Sequence, residues 1–463
     1  MPCFSAKELA AWSGGAWEPA EPSFLEGVSN DTRTLKPFNL YVALKGPRFD
    51  GHAFVEQAFR GGAAGALVDA SAGLQARPDR PLLRVADTAG ALRRIAAAYR
   101  LKLAPRIIAV TGSAGKSTVK EMIARALATA MPTAKTKGNW NNDIGLPLSL
   151  LSMEEGVRAG VFELGMSHPG EVAPLCEILK PSTAVVTNVG PVHIEFFDSV
   201  ESIAREKAQL LACLPPDGMA VLNRDGGGFD ILREATPARV LSVSLTREAD
   251  YRCVRRDEQR NEAFIVETAT GDRMTLRMPQ PGAHNVSNAL LATAAARHHG
   301  VGWEAIRQAL ESYAGLPMRW QEVDVAGIRV INDAYNANPL SMAAVIEAFD
   351  EQDAPGRKWL VLAGMLELGR LTETEHRRVG TLVARGDWAG LITVGPLGSH
   401  VADGAADAGM QADRIFRCGD KREAATVVLN KVAPGDALFL KASRGIGLEE
   451  IITLLRDGTG GGT

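Results

Sequence analysis

The residues best suited to chemistry in this 463-residue chain form one short run, Thr111-Gly-Ser-Ala-Gly-Lys-Ser-Thr118. Gly112 and Gly115 let backbone N–H groups turn inward around a phosphate, and a helix starting there adds partial positive charge. Ser113, Ala114 and Thr118 complete that cradle. Lys116 can reach the outer phosphates of a nucleotide, and the Ser117 hydroxyl can sit on Mg²⁺. The run is shorter than the usual nucleotide-binding pattern, because Val110 stands where its first glycine belongs. A glycine-rich helix start with a solvated lysine is the competing reading. Context favours phosphate: Arg106-Ile-Ile-Ala-Val-Thr111 reads as a buried strand, and Ser117 to Ala130 as a helix.

In open α/β sheets ligands bind beyond the carboxyl ends of the strands. Glu163 follows the apolar run Gly160-Val-Phe162, and His193 follows Thr187-Asn-Val-Gly-Pro-Val192, so both emerge on the phosphate-loop rim. Glu163 reads either as a hard oxygen ligand for Mg²⁺ or as a strand-end salt bridge. His193 reads either as a ligand or as a structural hydrogen-bonding histidine. Lys207 lies on a helical stretch, Ser202 to Leu211, among Glu201, Arg205 and Glu206. By composition alone it is a solvated lysine.

The elements that must position these residues fall into three regions. Residues 1–104 mix short strands (Leu40–Leu44, Ala66–Val68) with a Gly/Pro-rich stretch and close with a helix from Ala89 to Leu103. Residues 105–315 alternate strands (Arg106–Thr111, Ala159–Leu164, Thr183–Asn188) with amphipathic helices, predicting a parallel sheet covered on both faces. Within them, residues 240–280 alternate polar and apolar, predicting an antiparallel patch. Residues 316–463 repeat the alternation, with strands at Ile328–Asn332, Lys358–Ala363, Gly390–Gly395 and Ala437–Lys441. The expected fold is therefore α/β, with a central P-loop parallel sheet, a Rossmann-like C-terminal domain and a smaller mixed N-terminal domain. The tail Gly458–Thr463 has no core-forming residue and reads as structureless.

Composition sets outer limits. With 51 Lys+Arg against 54 Asp+Glu, the net charge of −3 argues against a nucleic-acid partner. Five scattered cysteines without CxxC spacing suit a reducing cytosol better than a disulfide framework. The N-terminus lacks a signal-peptide pattern, and no apolar run is long enough to span a membrane. A cytoplasmic, monomeric protein is expected.

Taken together, Thr111–Met122, Gly138-Asn-Trp-Asn-Asn-Asp-Ile-Gly-Leu-Pro147, Phe162-Glu-Leu-Gly165 and Thr187–Glu195 resemble the Mur ligases. These are ATP-dependent ligases of peptidoglycan precursor synthesis. Gly282–Leu290, Met318-Arg-Trp320 and Lys441-Ala-Ser-Arg444 extend the resemblance over the whole chain. Asp31-Thr-Arg33, Ala43–Gly46, Asp50–Phe54, Asp333-Ala-Tyr-Asn-Ala-Asn-Pro339 and Met365-Leu-Glu-Leu-Gly369 look like the branch that adds D-alanyl-D-alanine to a UDP-N-acetylmuramoyl-tripeptide. A sibling that adds lysine or diaminopimelate to the UDP-dipeptide is the nearest alternative. A folate-polyglutamate ligase and an inert nucleotide-binding protein are more distant ones.

The resemblance implies a UDP-sugar-peptide domain, an ATPase domain and a closing C-terminal domain. It implies ATP contacts from Gly112 to Thr118, with Asn285 at adenine and Arg319 and Asp333 at ribose and phosphates. Lys116, Glu163, His193 and Lys207 become catalytic, with Ser117, Glu163, His193 and a carbamylated Lys207 on magnesium. Substrate contacts are implied for Asp31, Thr32, Arg33, Lys45, Asn139, Asn336 and Asn338. Two departures stand out: Ala363-Gly364 replaces a usual Gly-Asp, and Ala442 a usual glycine.

Overall fold

The computed structural model describes residues 1–47 and 49–460, with side chains to 458. Three sheets carry the chain. The first has five strands in the order Ala16–Glu18, Leu82–Val85, Gly65–Asp69, Leu40–Val42, Val28–Ser29. Only its Ala16–Glu18 edge is antiparallel, so this domain is mixed, as expected. The helix Thr88–Leu103 starts where the Asp87 side chain accepts from Ala89 and Gly90 N–H, at 3.0 and 2.9 Å. It ends at Ala104, in left-handed backbone before Pro105. Tyr99 on this helix donates to the Met153 carbonyl at 2.7 Å, tying the first domain to the second.

The second sheet has nine strands, with Arg106–Thr111 between Ala159–Glu163 and Thr183–Val186. Every residue of that central strand except Arg106 is buried, because helices cover both faces and only an unbroken apolar run survives there. The antiparallel patch begins later than the sequence predicts. Arg239–Ser244 pairs parallel on both sides, and antiparallel pairing starts between Tyr251–Asp257 and Glu262–Glu267. The last four residues of Arg239–Ser244 are all buried, whereas burial alternates along Arg273–Arg277 at the exposed edge.

The third sheet is doubly wound, five parallel strands with an antiparallel edge at Gln321–Val325. That edge strand is mostly exposed and carries no apolar run that would reveal it in sequence. The tail expectation is overturned for Gly458–Gly460, which complete the helix Glu450–Gly460. A Cβ at Gly458 would meet Leu429 at 2.7 Å, so glycine lets this helix end lie close against its neighbour. Residues 461–463 lie outside the described residues. Among the described residues, no helix is long and apolar enough to cross a membrane.

The second and third domains meet along a seam. Leu340, in the first turn of the helix Pro339–Asp350, sits over Gly190, where an added Cβ would lie 2.3 Å from its Cδ1. Trp320, Phe349 and Phe439 of the third domain belong to the same apolar cluster as Val189 and Ile194 of the second.

Candidate active site

The phosphate loop needs its glycines for two separate reasons. Gly115 has φ +80°, and a Cβ there would also meet Asn288 Oδ1 at 2.6 Å. Gly112 has φ +148°, and its Cβ would collide with Thr187 Oγ1 at 1.9 Å. Thr187 and Asn188 buttress the loop. Ser113 N–H donates to Asn188 O at 3.0 Å, and Ala114 N–H to Asn188 Oδ1 at 2.8 Å. The first-turn N–H groups of the helix Lys116–Ala128 have no intrahelical acceptor and point where a phosphate would sit. Lys116 folds back to donate to Gly112 O at 2.9 Å. Burial pushes its pKa down, nearby Glu163 opposes that shift and Arg319 adds to it.

Glu163 ends its strand 2% exposed. Its Oε1 accepts from Asn141 Nδ2 at 2.8 Å, while Oε2 is buried and has no partner among the described residues. The strand-end salt bridge is therefore not formed. A buried carboxylate oxygen without a donor is costly unless a cation meets it, so the site fits a divalent ion. No group of three or more His, Cys, Asp and Glu gathers among the described residues. That is compatible with Mg²⁺, which typically takes one or two protein carboxylates and completes its shell with phosphates and water.

His193 pairs through Nδ1 with the Glu367 carboxylate of the third domain. Burial lowers its pKa, Glu367 opposes that shift, and Lys116 and Lys207 reinforce it. Lys207 is not the solvated lysine its neighbours suggested. It is 1% exposed on the helix Val200–Ala212, with no hydrogen-bond acceptor among the described residues. Burial, then the Lys116 charge, hold its pKa well below the ordinary lysine value. Glu206 offers little relief, since its oxygens accept from Gly170 and Val172 N–H, both at 2.9 Å.

The third domain closes the other side. Arg319 Nη2 lies 3.3 Å from Ser117 Oγ, and its guanidinium stacks 4.3 Å over the Tyr335 ring. Asp333 accepts from Trp320 N–H at 2.8 Å and pairs with Lys441, which also donates to Asn336 O at 3.1 Å. Asn338 caps the helix Pro339–Asp350 by accepting from Ser341 N–H at 2.9 Å. Its Nδ2 reaches Ser113 O in the phosphate loop at 3.4 Å. Asn285 is buried, donating to Pro281 O at 2.8 Å.

These groups surround one cavity of about 990 Å³. Asn139, Glu163, His193, Asn285, Arg319, Asp333, Asn336 and Asn338 line it together with Ser113 to Thr118. Gly112 lies behind the loop and Lys207 behind the wall. Asp31, Thr32, Arg33 and Lys45 are not brought to it. Arg33 grips both oxygens of Asp31, at 2.9 and 2.7 Å, on the surface of the first domain. Lys45 bridges Asp50 through the backbone.

Sequence reasoning named no role for Asn141, Glu367 or Lys441. Lys441 had a usable signal, a charged residue closing the buried strand Ala437–Lys441, just as Glu163 closes its own. The missing carboxylate at 364 has a steric counterpart, because a Cβ there would lie 2.6 Å from Leu397 Cδ1. The Ala442 departure leaves its polar neighbours in place. Ser443 Oγ still donates to Ala337 O at 3.2 Å and accepts from Leu366 N–H at 3.0 Å.

Models of the Mur ligase middle domain, the Mur ligase glutamate ligase domain and the Mur ligase family catalytic domain match residues 110–296, 318–444 and 25–100. The chain is 38% identical to the UDP-N-acetylmuramoyl-tripeptide–D-alanyl-D-alanine ligase of Bacillus subtilis, over 93% of each chain. It superposes on a crystal structure of MurF from Acinetobacter baumannii with TM-score 0.88, at 29% identity over 99% of each. MurF ligase from Thermotoga maritima in complex with ADP gives TM-score 0.80 at 25% identity, covering 95% of this chain and 99% of that one.

Proposed function

The chain belongs to the Mur ligase family, and on that premise we propose that it joins D-alanyl-D-alanine to UDP-N-acetylmuramoyl-tripeptide. ATP drives the step, and the product is the UDP-muramoyl-pentapeptide of peptidoglycan synthesis. The observation that carries this reading is Arg319 reaching from the third domain to Ser117 of the phosphate loop, so that the nucleotide site is complete only when the domains meet.

A free carboxylate has no leaving group, so its oxygen must first be phosphorylated. The terminal carboxylate of the tripeptide takes the γ-phosphoryl group of ATP, giving an acyl phosphate and ADP. The amine of the dipeptide then attacks the acyl carbon, the C–O bond to phosphate breaks, and the amine loses a proton. Phosphoryl transfer depends mainly on positioning and charge neutralisation. Lys116 and Arg319 supply positive charge at the phosphates, and Asn285 holds the base. Asp333 and Lys441 fix the segment that carries Arg319, through the Trp320 N–H. Closure of the third domain over the second would shield the acyl phosphate from water.

Ser117, Glu163, His193 and Lys207 are the residues that would hold Mg²⁺. When bound, the ion neutralises the triphosphate and stabilises the departing oxygen. Lys207 joins this set as a carbamate: its neutral amine adds CO₂, forming an N–C bond and releasing a proton. The burial that lowers its pKa supplies that neutral amine.

Residues 1–104 bind the UDP-sugar end through Asp31, Thr32, Arg33 and Lys45. Asn139, Asn336 and Asn338 face the peptide, 105–315 carry ATP, and 316–463 close the site. The protein acts as a cytoplasmic monomer. Phosphate release in Mg-ATP tests the reading. Release that requires both the UDP-tripeptide and D-alanyl-D-alanine supports it. Release with the UDP-dipeptide and a single amino acid replaces it with the sibling reaction.

A further inference from the structure

Glu367 lies in the loop after the strand Lys358–Leu362, 174 residues from the histidine it meets. Its carboxylate pairs with His193 Nδ1, and its backbone carbonyl accepts from Glu195 N–H at 3.2 Å. Both partners hold left-handed backbone, φ +57° at His193 and +62° at Glu367. Such conformations are strained in non-glycine residues and persist where the surroundings impose them. Here the seam imposes them. Arg370 Nη2 donates to Asp198 O at 2.8 Å, and Gly369 sits so close that an added Cβ would lie 3.1 Å from Glu195 Cα.

We propose that Glu367 is a positioning residue: closure of the third domain brings its carboxylate to His193, fixes the imidazole as the Nδ1–H tautomer and leaves Nε2 as the free lone pair for the cavity. A neutral imidazole has one donor and one acceptor nitrogen, and an ionised carboxylate can only accept. The carboxylate therefore selects the tautomer. Glu367 is the hydrogen-bond partner of His193 Nδ1, and the nearby Lys116 cation offers no acceptor. Metal-binding histidines commonly carry such a carboxylate, and its loss costs 10–100-fold in affinity or activity. In this chain the carboxylate belongs to a different domain, so ligand readiness and domain closure become one event. The catalytic meaning of that coupling rests on the ligase reading above; the tautomer does not.

The test uses ¹⁵N-histidine NMR on the full chain with a non-hydrolysable ATP analogue, His193 being assigned by its missing signal in His193→Gln. Mn²⁺ affinity is measured on the same samples. Wild type should show the Nδ1–H tautomer. Glu367→Ala should shift His193 toward Nε2–H and weaken Mn²⁺ binding about 10–100-fold. Arg370→Ala cuts the same seam without touching His193, and should keep both the tautomer and the affinity. If Glu367→Ala does not fold, Glu367→Leu, similar in size but with no acceptor atom, carries the comparison. An unchanged tautomer in the Glu367 variant overturns the proposal. So does an Arg370→Ala variant that loses as much Mn²⁺ affinity as Glu367→Ala. Neither readout needs turnover, so failure of the acceptor assay remains a separate result.

Discussion

The phosphate loop takes its shape from its own domain: Thr187, Asn188 and Asn288 surround it, and Asn338 and Arg319 reach it from the third domain with side-chain hydrogen bonds. The opposite wall is different. Arg319 and Glu367 act on groups of the second domain from far along the chain, across a surface that must close before they meet. One half of the cavity is preformed and the other is assembled. The difference suggests that nucleotide binding and catalytic competence are separable, and mutations on the two sides should separate them.

The largest effect belongs to the preformed side. Lys116→Ala should lower ligation by about a thousandfold, since a positioned charge at a developing anion contributes several kcal/mol. Its thermal midpoint should stay near wild type. Near-normal product formation in a steady-state assay would remove the loop from the chemistry. On the assembled side, Arg319→Ala should cost about a hundredfold in kcat. ADP affinity, read by calorimetry, should fall far less. Arg319→Lys should not restore turnover, because the stacked planar guanidinium over Tyr335 has no lysine equivalent. If ADP affinity fell as steeply as kcat, the two halves would not be separable.

The third prediction concerns pH. His284 lines the cavity with an unpartnered Nδ1, and burial pushes its pKa down to about 4. The unfolded chain protonates near pH 6.5, before the folded one does, so the stability held above pH 6.5 drains away as pH falls toward 4. A loss of about 1–3 kcal/mol is expected over that window. His284→Gln should flatten the profile in denaturant titrations, and an unaltered slope would exclude His284 as its source. The smallest effect lies outside both halves. Arg33→Ala should raise KM for the UDP-linked substrate while stability stays near wild type, as for other exposed ion pairs. An unchanged KM would remove the Asp31–Arg33 pair from substrate binding.

These contrasts also explain what could be read in the residues alone. The phosphate site is legible because strand, turn and helix lie within a few contiguous positions, and Glu163 and His193 because strand ends share a rim. Lys207 was misread by composition. Charged neighbours along a helix report its exposed face, and the residue that turns inward cannot be told from them without the third dimension. Glu367 and His193 are joined only by the relative placement of two domains, which no local pattern encodes. The pairing of Asp333 with Lys441, 108 residues apart, is similarly silent until two parallel strands are set side by side.

Leu340 and Gly190 form a ball and socket on the seam between the second and third domains. The socket exists because position 190 has no side chain, and one methyl group there would act as a doorstop. A chain so altered would still charge its loop with nucleotide, yet remain ajar, its two halves facing each other without ever engaging.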